Sequence, residues 1–208
     1  MTASIRHTIF PRQGLRVSPA FFLSLAAALL VGGWQVAAAI LLAAAMHELG
    51  HLGALAMLGA PVTGLRLGAF GAEIGAYTQR LSYAGELFAV LAGPAVNLLA
   101  APLLASLAVR RGWAWGCLFA GAHILLGVYN LLPIPPLDGA RAIWLLASYC
   151  RGPDAADVVC GAAGLFFAFA LCLFGGYLAL RFGGMLFLFA ALGLLLPQLG
   201  LAKRRRTV

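Results

Sequence analysis

The sequence predicts an all-α polytopic membrane protein of about six transmembrane helices, with a short membrane-associated β-hairpin between the second and third. Three observations carry this reading. Hydrophobic residues fill 63% of the 208 positions and charged residues 10%, which is more apolar surface than a single core of this size hides from water. The apolar residues fall in runs near the length that crosses a bilayer as a helix, about 20 residues. The basic residues behind the net charge of +8 sit at the ends of those runs, where they anchor loops to one side of a membrane. They form no aromatic-interleaved patch, so nucleic acid is excluded as a partner and the lipid bilayer is the expected surrounding.

Taken in order, Arg6, Arg12 and Arg16 precede the first run, about 18–33. This start superficially resembles a signal peptide, but the run has no convincing cleavage site and continues through Gly32-Gly33 into the next, so it is read as a retained span. The second run covers about 34–58, the third 82–109, the fourth 113–132, the fifth 156–180 and the sixth 184–201. Six spans put both termini on one side. That side then holds eleven basic residues, with Arg66, Arg80, Arg141, Arg151 and Lys203 to Arg206 joining the first three, against Arg110, Arg111 and Arg181 opposite. The bias places both termini in the cytoplasm of a multi-pass protein of the cell membrane. The four cysteines show no CxxC spacing and are given no redox or metal role.

Between Pro61 and Arg80 the pattern changes. Val62 to Leu67 and Ala72 to Tyr77 alternate weakly around Gly68 and Gly71, which predicts a β-hairpin dipping towards the membrane without crossing it, since unpaired strands cannot face lipid. An ordinary surface loop is the alternative. A hairpin with an open edge is a template for an extended peptide.

Three stretches carry chemistry. The second span contains His47-Glu48-Leu49-Gly50-His51 within a run of Leu, Ala and Met. Residues four apart stack on one helix face, so His47 and His51 aim two imidazole nitrogens at one point, the two-ligand half of a tetrahedral zinc site. Glu48 falls beside that point, where it can take a proton from a water: a base, not a ligand. The competing reading is structural pairing of these groups, but ionisable residues at membrane depth are functional by default. In the third span Gly93-Pro94 and Asn97 join a helix-breaking pair to one amide, which serves as a kink or as a donor to a neighbouring helix or an unwound substrate backbone. After the fourth span, Asn130-Leu131-Leu132-Pro133-Ile134-Pro135-Pro136-Leu137-Asp138-Gly139 breaks the backbone with three prolines and follows with a carboxylate. Asp138 also suits the N-cap of a short surface helix carrying Arg141, Tyr149 and Arg151.

HELGH in the second span, AGPAVN in the third and NLLPIPPLDG after the fourth, in that order and spacing, resemble the site-2 protease family of intramembrane zinc metalloproteases over about 6–146. Within it the sequence is most similar to the stage IV sporulation FB subgroup. The metal motif is on the second of six spans, Phe70-Gly71-Ala72-Glu73 follows in the hairpin, and no PDZ domain interrupts the chain. It differs in carrying Asp138-Gly139-Ala140 where the family usually has Asp-Gly-Gly, and in ending at Val208 without the subgroup's usual CBS domain. A single intramembrane metalloprotease domain over 1–208 is therefore expected.

The resemblance implies hydrolysis of a peptide bond in or next to a membrane-embedded segment of a protein substrate. It implies His47, His51 and Asp138 as ligands of Zn2+, Glu48 as general base, and Asn130, Asn97 and Pro135 as substrate contacts. Its sporulation members act on a membrane-tethered sigma-factor precursor and are held in check by inhibitory membrane-protein partners. The rival class is a non-catalytic metal-binding membrane scaffold or transporter; transporters tend to show inverted repeats and paired broken helices, and no repeat is visible here. Against Asp138, His123 is the other candidate third ligand by residue type. Depth favours Asp138: a helix rising about 1.5 Å per residue puts His123 up to about 20 Å nearer the outer face, whereas His47 and His51 lie in the cytoplasmic half. His123 is then expected to be hydrogen-bonded between helices in the outer half.

Overall fold

The computed structural model describes residues 14–68, 71–78 and 81–182. In chain order they form β1 (Leu15–Val17), α1 (Pro19–Met57), β2 (Val62–Gly68), β3 (Gly71–Ala76), α2 (Tyr83–Arg111), α3 (Ala114–Asn130), α4 (Asp138–Arg151) and α5 (Pro153–Phe182). The chain divides into two compact units between Val128 and Tyr129.

In the first unit, Ser18 starts α1 by accepting a hydrogen bond from the Ala20 amide at 3.3 Å, with Pro19 at the first helical position, where its missing N–H is no loss. Gly33, at φ 71° and ψ 178°, breaks α1 into two segments, at the boundary expected between the first two spans. The second segment ends at Met57, with Leu58 as its C-cap. The Gly59 amide then bonds the Ala56 carbonyl at 3.1 Å and the Ala60 amide bonds Leu55 at 2.9 Å. With Gly59 at φ 66°, this closes the helix in a left-handed turn that satisfies its last carbonyls and sends the chain into β2.

The expected hairpin is present. β2 and β3 pair antiparallel with Leu65 opposite Ile74, and the register shifts between Val62 and Gly64. β1 adds a third strand parallel to β2, Arg16 beside Arg66, giving the order β1-β2-β3. Parallel strands need a long crossover, and here the whole of α1 supplies it. The Ser18 amide, bonded to the Leu67 carbonyl at 2.8 Å, ties the sheet to the start of α1. Ala54, Leu55, Ala60 and Ala89 form the core beneath, with Val62, Ile74 and Leu81 packed on it. Ser82 caps α2 through the Gly85 amide at 3.1 Å; Glu86 in the first turn and Arg110 and Arg111 in the last complement the helix dipole. Pro94 and Pro102 lie inside α2, which runs unbroken through Gly93-Pro94.

In the second unit, residues 131–137 are turns and bends. The Leu132 amide bonds Tyr129, Ile134 bonds Leu132 and Leu137 bonds Ile134, at 3.1, 2.8 and 2.8 Å. Ile134 and Leu137 anchor this segment against Ala168 of α5, with Tyr129, Leu132 and Leu171 around them. α4 and α5 are joined by Trp144 Nε1 donating to Asp157 Oδ1 at 2.9 Å and by Cys160 Sγ donating to the Ala140 carbonyl at 3.1 Å.

Among the described residues, three helices are long and apolar enough to cross a membrane: Gly32–Met57, Tyr83–Arg111 and Pro153–Arg181. Pro19–Leu30 and Ala114–Asn130 are apolar and shorter. The sixth expected span lies outside the described residues. Leu30, Leu103 and Leu180 are 87%, 69% and 92% exposed, whereas the buried hydrophobics are mostly alanines. Large side chains outside and small ones between helices is the arrangement of a protein solvated by lipid, where backbones approach closely and no water drives the outer face inward.

Candidate metal centre

The HELGH motif lies on the second segment of α1, in helical conformation throughout. The His47 and His51 rings meet edge to face with centroids 4.7 Å apart, and their Nε2 atoms are 3.1 Å apart. Two nitrogens each about 2.05 Å from one tetrahedral ion stand about 3.3 Å from each other. The pair therefore fits a shared metal ion with an adjustment of a few tenths of an ångström.

The second nitrogen of each ring is also held. His51 Nδ1 lies 2.8 Å from the Ala89 carbonyl oxygen of α2. A carbonyl only accepts, so Nδ1 carries the proton and Nε2 keeps the lone pair that a metal needs. His47, 4% exposed, has Nδ1 3.4 Å from Asn97 Nδ2, and Asn97 Oδ1 lies 3.0 Å from His123 Nδ1 on α3. Glu48 is half-buried beside His47.

Small residues bring α2 this close. A Cβ on Gly50 would meet the Ala92 carbonyl oxygen at 2.7 Å, and a Cβ on Gly93 would run into the His51 ring itself. Gly93, read from the sequence as half of a helix-breaking pair, is the point on α2 against which the His51 imidazole lies. Pro94 is among the fully buried side chains.

Asn97, expected to contact substrate, is 0% exposed, with its amide spanning His47 and His123. His123 makes the interhelical hydrogen bond expected of it, with Asn97 Oδ1 of α2. Through Asn97 it is two hydrogen bonds from His47, nearer the histidine pair than the separation expected from counting a helical rise. In the second unit, Asn130 is the last residue of α3 and half-buried. Pro135 is half-buried in the turn segment and joined to Pro136 by a cis peptide bond. Asp138 is half-buried and is the first residue of α4. The N-cap is Leu137, which makes no side-chain cap hydrogen bond, so Asp138 does not have the capping role considered for it. A Cβ on Gly139 would collide with the Leu131 carbonyl, which packs the start of α4 directly on the turn backbone.

Two imidazoles converge from one apolar helix, each with its far nitrogen engaged by α2, so the class is a helical membrane protein with a histidine pair on a spanning helix that could hold a metal ion. Among solved structures the chain is similar to the site-2 protease from Methanocaldococcus jannaschii, with a TM-score of 0.70 over 88% of each chain at 19% sequence identity. At that identity the likeness is one of fold. No family model matches the sequence, and no curated protein does.

Proposed function

We propose that this chain is an intramembrane zinc metalloprotease that hydrolyses a peptide bond in or next to a membrane-embedded segment of a protein substrate. The observation that carries the reading is the 3.1 Å convergence of His47 and His51 Nε2 on a spanning helix, in a chain with the fold of a site-2 protease.

Asp138 is proposed as the third ligand of a His, His, Asp set, from its residue type and its place in the NLLPIPPLDG stretch. Such a set suits zinc, which when held by three protein ligands keeps a fourth position for water and lowers that water's pKa to about 7. Glu48, one residue from His47, accepts the proton of the attacking water and returns it to the leaving amine, which balances the hydrolysis. Asn130, at the end of α3, and Pro135, within the turn before Asp138, contact the substrate backbone. β3, at an outer edge of the sheet, offers main-chain groups to an extended peptide segment.

The basic-residue bias supports cytoplasmic termini and a centre in the cytoplasmic half of the bilayer, so the product is released to the cytoplasm. A membrane-tethered transcription-factor precursor, such as a sigma factor in sporulation, fits that geometry, with inhibitory membrane partners as its regulators. Co-expression with tagged membrane-tethered candidates tests this: a shortened product is expected with the wild-type chain and none with Glu48→Gln. An equal product with both would overturn the assignment.

A further inference from the structure

The three-stranded sheet of the first unit has two unlike faces. Leu65 is in register with Ile74, and Ile74 packs on the core of Ala54, Leu55, Ala60 and Ala89, so this face looks onto α1 and α2. Residues in register on neighbouring strands point the same way. Leu15, beside Leu65, and Val17, beside Leu67, therefore share the apolar face. They remain 62% and 40% exposed, because β1 is an outer strand and reaches past the core. Arg16 and Arg66, in register with each other, stand side by side on the opposite face, and both are exposed.

Both ends of α1 meet this sheet. The Ser18 amide, just before the helix, bonds the Leu67 carbonyl at 2.8 Å, and Ala54 and Leu55, near its end, lie in the core beneath the strands. The break at Gly33 comes between. An apolar helix pair that leaves one sheet and returns to it places that sheet at a surface of the bilayer and not at its middle. Tyr77, after β3, and Tyr83, at the start of α2, are 53% and 46% exposed, as suits tyrosines at headgroup level.

Two guanidinium groups on strands about 4.8 Å apart repel each other, at a cost in stability. A phosphate between them replaces that repulsion with two charge-assisted contacts. Arg66 is also in register with Glu73 on β3, but a guanidinium has five N–H donors, so a partner on one side leaves donors for the other. The overhang of Leu15 and Val17 on the reverse face selects among phosphates: a free anion gains nothing from it, whereas a lipid brings acyl chains to cover it.

We infer that Arg16 and Arg66 form a headgroup site that holds the phosphate of an anionic phospholipid, with Leu15 and Val17 seated among the acyl chains. A zwitterionic lipid fits less well because its headgroup carries a cation beside the phosphate. The bound lipid fixes the sheet, and with it the end of α1, at the membrane surface. The inference is independent of the metal centre and of proteolysis, since every residue that makes the site lies in the sheet.

The test is the lipid kept by the full chain on release from bilayers of equal phosphatidylglycerol and phosphatidylcholine, counted by native mass spectrometry. The wild-type chain is expected to prefer phosphatidylglycerol about tenfold or more, and Arg16→Gln and Arg66→Gln each to lower that preference about fivefold. Arg110→Gln removes the same charge from an exposed residue in the last turn of α2 and is expected to leave the preference within about twofold of wild type. Equal losses in all three variants would mean net charge alone and would refute the site. Excess inorganic phosphate at constant ionic strength is expected to leave the lipid in place; its displacement would make this a free-anion site and overturn the inference. Spin-labelled lipids give a reading on the unaltered chain, which is expected to restrict the motion of phosphatidylglycerol more than that of phosphatidylcholine. Equal restriction of the two would contradict the inference whatever the variants do.

Discussion

His51 Nδ1 stands 2.8 Å from the carbonyl oxygen of Ala89, an acceptor that belongs to the backbone of α2 and cannot be removed by mutation. A helix carbonyl is free to accept a second bond here because Gly93, four residues on, has no side chain to fill the space where the imidazole lies. The neighbouring helix thus fixes the orientation of the His51 imidazole.

It follows that Gly93→Val displaces the His51 ring without altering a ligand. The variant is expected to insert in the membrane with zinc affinity at least about tenfold weaker and proteolysis lost, read by metal analysis beside the wild type. Unchanged zinc content would show that the His51 ring has more room than the structure gives it.

Glu48→Gln separates base from ligand. The amide keeps the shape and cannot take up the water's proton, so zinc content is expected to stay at the wild-type level while cleavage falls by about 100-fold or more. Cleavage within tenfold of wild type would remove Glu48 from the proton path.

Much of this was legible in the sequence, and the parts that were not share a cause. The His47 and His51 pairing follows from local helix periodicity, the break in α1 was marked by Gly32-Gly33, and the β2–β3 hairpin was readable from alternation around Gly68 and Gly71. β1 was not, because three residues carry no periodicity and their partner strand lies 50 positions away, with Leu15 beside Leu65. The His47–Asn97–His123 chain was hidden for the same reason: each link joins a different helix, and spacing says nothing about which faces meet. Asp138 was placed one position out at the start of α4, since prolines mark where a helix cannot be more sharply than where the next begins.

For the third ligand, Asp138→Asn is expected to be purified with most of its zinc gone, whereas His123→Ala still fills when zinc is in excess. Metal analysis of the two variants side by side checks this, and the reverse order would transfer the ligand role to His123.

α3 has only 17 residues, so its crossing is the most exposed part of the topology. Reporter fusions after Arg111 and after Arg151 are expected to lie on opposite sides of the membrane, the first outside. The same side for both would mean that α3 does not cross.

The central claim is hydrolysis by a zinc centre inside the membrane. The most direct measurement is mass spectrometry of the products when the purified chain, in bilayers, meets a single-span membrane-tethered substrate. The account predicts one cut in or next to the spanning segment, abolished by a zinc chelator, restored by added zinc and absent with Glu48→Gln. The same cut persisting in chelator or with Glu48→Gln would contradict it.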